Sequence, residues 1–205
     1  MHRCCMNKYL VIFASTLHSF KIKILMKKTL LLALSLGLFL TACKKDEPSP
    51  VEDNEFISTL RLTFTEGANK LVYTIKDLDG DGGKPPVADV IKLVANKTYT
   101  VTTEFLDETK TPIVNTTLEI EKESAEHLVV FQQNPATIMT ITRTDKDSRN
   151  FEIGLKATAK TVAAANGSLK VTLRHQPEVG GKPVKNGTSA PGSTDFEGSF
   201  VVEVK

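Results

Sequence analysis

The chain has 205 residues, 40% hydrophobic and 24% charged, a composition that fits one folded domain with appendages. Its formal charge of +2 hides a division: six basic residues (Arg3, Lys8, Lys21, Lys23, Lys27, Lys28) precede Cys43, leaving 20 basic residues beyond it against all 24 acidic ones, about −4. A domain of that sign repels phosphate backbones, which argues against a nucleic-acid partner.

Residues 1–25 are interrupted by Lys21 and Lys23 and make a poor membrane span. A complete secretion signal begins at Met26, so this stretch reads as a misassigned start, or else as a genuine extension. From Met26 the order is Lys27-Lys28, an apolar run from Leu30 to Leu40, then Thr41-Ala42 before Cys43. The run is too short to cross a bilayer as a helix but long enough for a secretory signal. Leu40-Thr41-Ala42-Cys43 resembles the lipobox cut by signal peptidase II. That resemblance implies that residues 26–42 are removed and that Cys43 is lipidated, with the membrane as its partner through the acyl chains. The alternative, a buried helix that ends in cysteine, leaves the ordered charge, core and small residues to coincidence. Cys4 and Cys5 lie upstream, so the domain itself has no cysteine for a disulfide, a catalytic thiol or a metal.

Residues 43–54 contain Lys44-Lys45-Asp46-Glu47-Pro48-Ser49-Pro50, too charged and proline-rich to bury apolar surface, and are expected to form a solvated, flexible tether. The sequence Cys43-Lys44-Lys45-Asp46-Glu47 also resembles the lysine-then-acidic export signal of Bacteroidota lipoproteins, which implies the outer face of the outer membrane. A plain charged tether is the other reading.

From residue 55 to 205 the text alternates as strands do. Leu60, Leu62 and Phe64, then Leu71, Tyr73 and Ile75, fall at every second position around Glu66-Gly67-Ala68-Asn69, which predicts a β-hairpin. Val90–Val94 and Tyr99–Phe105 predict a second hairpin around Ala95-Asn96-Lys97. Further strands are predicted at Leu128–Gln132, Ile138–Arg143, Phe151–Ala159, Ser168–His175 and Phe196–Val204, all rich in residues that suit a half-buried pleat. The stretch from Asn115 to Glu126 is instead rich in helix formers. Thr116 with Glu119 suggests a capping box, so a short helical crossover is expected there. Pro177–Asp195, rich in Gly, Pro, Lys and Ser, predicts a long exposed loop. About seven to nine short strands with one helical crossover predict an all-β fold, an antiparallel, immunoglobulin-like β-sandwich.

Several blocks resemble a family of uncharacterised flavobacterial (Bacteroidota) outer-membrane lipoproteins with a C-terminal all-β domain. They are Phe64-Thr65 and Asp77 to Gly83, Phe105-Leu106-Asp107-Glu108 with Thr111-Pro112, Glu126-His127-Leu128, and Leu173-Arg174-His175-Gln176-Pro177. The resemblance covers most of residues 43–205. It implies a lipid-anchored envelope address and no particular activity.

Asp77-Leu78-Asp79-Gly80-Asp81-Gly82-Gly83 is the best candidate for ligand chemistry. Carboxylates on alternate residues followed by glycine can wrap a hard cation, so Asp77, Asp79 and Asp81 are candidate Ca²⁺ ligands. The second half departs from an EF-hand loop, because Ala88 stands where the bidentate Glu would be. Asp-Gly steps also punctuate ordinary turns, and both readings stay open. Asp145-Lys146-Asp147-Ser148-Arg149-Asn150 reads as a solvated hairpin tip. His127 and His175 are far apart in sequence with no cysteine or paired-histidine spacing, which makes a weak zinc or haem case; His175 alternates with Val171 and Leu173 and so should face the core end of a strand. Glu119, Glu123 and Glu126 would share one face of a helix, which is more often wet than catalytic. With no nucleophile elbow and no phosphate-cradling loop, the chain is expected not to be an enzyme. The leading expectation is a lipid-anchored surface binding or adhesion module for an unknown protein or glycan partner. An accessory subunit on the periplasmic side of an envelope complex comes second, and a hydrolase third.

Overall fold

The computed structural model describes residues 56–80 and 83–205. The start, signal, tether and Cys43 readings, and Asp81 of the acidic loop, lie outside the described residues. Among the described residues, ten strands and one helix follow in the order β1 (Thr59–Glu66), β2 (Asn69–Lys76), β3 (Val87–Ala88), β4 (Val90–Leu93), β5 (Thr98–Leu106), α1 (Thr117–Lys122), β6 (His127–Asn134), β7 (Met139–Arg143), β8 (Lys156–Thr161), β9 (Ala165–His175) and β10 (Ser193–Val204). They form a six-stranded sheet, β3-β2-β1-β5-β8-β7, and a four-stranded sheet, β4-β10-β9-β6. The fold is the expected all-β sandwich. Among the described residues, no helix is long and apolar enough to cross a membrane.

Period-two alternation builds the core. Leu60, Leu62 and Phe64 of β1 and Val101 and Phe105 of β5 are fully buried, and so are Leu169, Val171 and Leu173 of β9 and Val202 of β10. Each such side chain stabilises the fold by about 1.5–3 kcal/mol through the apolar area removed from water. Edge-to-face ring contacts join Phe64 to Tyr99 at 6.1 Å and Phe105 to Phe196 at 5.9 Å. The first predicted hairpin is present, with Glu66 opposite Asn69. Gly67, at φ +58, supplies the left-handed conformation that a primed hairpin turn needs at its first central residue.

The second predicted hairpin does not form. β4 pairs in parallel with β10 in the four-stranded sheet, Val90 opposite Val201, while β5 lies between β1 and β8 in the other sheet. Buried Ile91 and Leu93 show only that β4 has one apolar face. Which sheet it joins is decided by a partner strand remote in sequence. Asn96, at φ +54, carries the chain between sheets, and the hydroxyl of Thr161 ties the crossing by accepting from Lys97 N–H at 2.9 Å and donating to Val94 O at 2.7 Å.

The helical crossover does form, between β5 of one sheet and β6 of the other. Its capping differs from the prediction. Thr116 has helical dihedrals and makes no capping bond. Asn115 Oδ1 accepts the Thr117 N–H at 3.1 Å instead, and the Thr117 hydroxyl accepts from Phe105 N–H at 2.7 Å and donates to Phe105 O at 3.1 Å. The first helical residue is thus stitched to β5, and Ile120 is buried beneath it.

Candidate functional site

Three side chains meet at one rim of the four-stranded sheet. His127 opens β6 and stands directly opposite His175, the last residue of β9. Both lie on the core face, in register with Val129 and Leu173. Asp195 comes from β10, where the register passes from Thr194 opposite Arg174 to Phe196 opposite Leu173, leaving Asp195 as the extra residue of a β-bulge. Regular alternation would have placed Asp195 on the opposite face from Phe196. The bulge turns its carboxylate to 3.7 Å from His127 Nε2 and 3.9 Å from His175 Nδ1.

The two imidazoles stack, with centroids 4.7 Å apart and planes within 3°. His127 Nδ1 lies 3.1 Å from Glu123 O, and His175 Nε2 lies 3.8 Å from Glu126 Oε2. Burial pushes the His127 pKa down to about 4; the Glu123 carbonyl opposes this, and the neighbouring His175 and Lys185 add to it. The side chains of His127 and Asp195 are each only 8% exposed, whereas Glu126 at 33% opens the cluster toward solvent.

The segment before His127 is clasped from both sides. Lys185 Nζ donates to Ser124 O at 2.9 Å, and the Arg149 guanidinium donates to Ala125 O. Lys185 also pairs with Asp147 Oδ2 at 3.0 Å, both side chains fully buried. Asp147 Oδ1 accepts the N–H groups of Arg149 and Phe151, each at 2.9 Å. Burial pushes the Asp147 pKa up, but Lys185 and those N–H groups outweigh it and leave the carboxyl below its ordinary value; burial likewise lowers Lys185 against the pull of Asp147. Asp145–Asn150 is the tip of the β7–β8 hairpin, with Lys146, Ser148 and Asn150 exposed, but Asp147 turns inward and is buried, and the 177–195 loop is not wholly exposed. One buried ion pair ties them together because each loop alone would leave a charge without a partner.

The histidines are likewise not isolated, since strand pairing places them side by side. Glu126 does not share a helical face with Glu119 and Glu123, because α1 ends at Lys122 and a turn carries Glu126 toward His175. Sequence reasoning missed Asp195 because a bulge breaks the alternation on which that reasoning depends. It missed Lys185 because a glycine- and proline-rich loop signals solvent.

In the acidic loop, Asp77 Oδ1 accepts the Gly80 N–H and Asp79 Oδ2 accepts the Lys84 N–H, each at 2.9 Å. These are bonds that close turns.

The outer face of the four-stranded sheet carries a shallow polar groove of about 230 Å³, lined among others by Gln132, Lys170, Thr172, Arg174, Thr194 and Glu197. Internal contacts hold these side chains: Lys170 pairs with Glu197 at 3.2 Å, and Arg174 donates to Gly192 O at 2.6 Å and Pro191 O at 3.0 Å. No family model, curated protein or solved structure matches the chain.

Proposed function

We propose that this chain is a lipid-anchored protein of the cell envelope whose β-sandwich is a surface binding or adhesion module for a polar protein segment or a glycan. The observation that carries the binding reading is the groove on the outer sheet face. Its donors and acceptors are held by neighbours, with Thr172 buried and Lys170 and Arg174 half-buried, so a ligand meets a surface that has already been ordered. The anchor reading rests on the order of charge, apolar core, small residues and Cys43 in the sequence.

Two measurements test the address. Cys43→Ser should move the protein out of the outer-membrane fraction, because acyl chains hold it there at about 0.8 kcal/mol per buried CH₂. A cleaved Cys43→Ser protein that stayed in the membrane would defeat the anchor reading. Protease added to whole cells should remove the domain, and Lys45→Ala/Asp46→Ala/Glu47→Ala should protect it. Protection of both forms would favour the accessory subunit on the periplasmic side.

A further inference from the structure

β6, β9 and β10 each deliver one metal-ligating side chain to the same rim: His127, His175 and Asp195. One ligand atom from each lies within 4.8 Å of the other two. Zinc bonds of about 2.0–2.1 Å in tetrahedral geometry hold ligand atoms about 3.3 Å apart. The histidine–aspartate distances of 3.7 and 3.9 Å need to close by about half an ångström to meet that geometry, and the two stacked rings must turn out of parallel so that both nitrogens aim at one ion.

The remaining nitrogens carry the argument further. A metal-bound imidazole commonly gives its other N–H to a carbonyl or carboxylate, which fixes both its tautomer and its aim. Here His127 has Glu123 O within hydrogen-bond reach at 3.1 Å behind it, whereas the Glu126 carboxylate behind His175 lies at 3.8 Å and would have to move closer to play that part. In both rings the nitrogen that faces Asp195 is the one placed to ligate. Lys185, whose ammonium reaches Ser124 O beside the cluster, is paired with Asp147 at 3.0 Å, which offsets its charge.

We propose that His127 Nε2, His175 Nδ1 and the Asp195 carboxylate form a binding site for a divalent transition ion of the zinc class, with a fourth position open to water. Two imidazoles and one carboxylate suit zinc and its neighbours, whereas magnesium and calcium require all-oxygen surroundings. Three protein ligands leave the open coordination typical of reactive rather than purely structural zinc. The site is independent of how the protein is anchored and of the groove on the opposite sheet face.

The test uses the full-length, tag-free chain in detergent, stripped with a chelator and titrated with Zn²⁺ by calorimetry and with Co²⁺ by visible absorption. The expected result is one equivalent per chain, cobalt ligand-field bands, and a Tm raised by several degrees with zinc but not with magnesium. His175→Gln and Asp195→Asn should each weaken zinc binding at least tenfold. Asp77→Asn/Asp79→Asn should leave it unchanged. His175 is more exposed than His127, and its variant is checked for an unaltered apo Tm. The proposal is overturned if the wild-type chain takes up no stoichiometric zinc, or if binding survives both His175→Gln and Asp195→Asn.

Discussion

His127 shows how burial alone sets a residue's response to pH. In the unfolded chain its imidazole takes a proton near pH 6.5, while in the folded chain it stays neutral down to about 4. Between those values the unfolded state binds more protons. The stability is therefore complete above about 6.5 and is lost as pH falls toward 4. The span corresponds to about 3 kcal/mol at most, with His175, Asp195, Glu126 and Lys185 as the charged groups around the ring. In metal-stripped protein, denaturant unfolding at pH 7 and pH 4.5 should differ by roughly that amount more in wild type than in His127→Gln. An equal difference in both would show that His127 takes up no proton on unfolding in this range. Gly192 makes a steric prediction at the same rim. It has φ +78, and an added Cβ would lie 1.8 Å from His175 O. Gly192→Ala should therefore cost about 2–4 kcal/mol in thermal unfolding, from left-handed strain and overpacking together. The histidines could be named from the sequence, but their pairing could not. Side-chain type was visible, whereas the partner across the strand depended on the register of a distant segment.

At the level of elements, the strands were largely legible because each has one buried face and a two-residue period. Helix α1 was legible too, through its composition. What escaped was anything that breaks a period or spans loops. The bulge at Asp195 is one case. The Lys185–Asp147 clamp is another, joining a loop after β9 to a loop after β7 through two fully buried side chains. Removing one partner of such a pair leaves the other charge buried and typically costs about 3–5 kcal/mol. Lys185→Ala should approach that figure. Asp147→Ala should cost more, because it also orphans the N–H groups of Arg149 and Phe151. Equilibrium unfolding of the two variants would decide it, and equal losses would mean that the N–H bonds to Asp147 add nothing. A smaller effect belongs to α1. Asn115→Ala removes the acceptor for Thr117 N–H and should cost about 1 kcal/mol, whereas any loss in Thr116→Ala should come from its buried methyl group and not from a cap.

At the scale of the whole molecule, the sandwich was readable and its sheet membership was not. Local alternation records burial, and the choice of sheet is made by contacts between distant residues. β4 is the clearest instance, since Val90–Leu93 is completed only by Val201–Val204. During synthesis the early strand has no edge to join until β10, the last described strand, has left the ribosome. β10 also lies between β4 and β9, so the four-stranded sheet cannot close around its middle before then. Pairing across such long sequence separations is slow to nucleate. Until β10 is made, the four-stranded sheet therefore lacks the strand that joins β4 to β9.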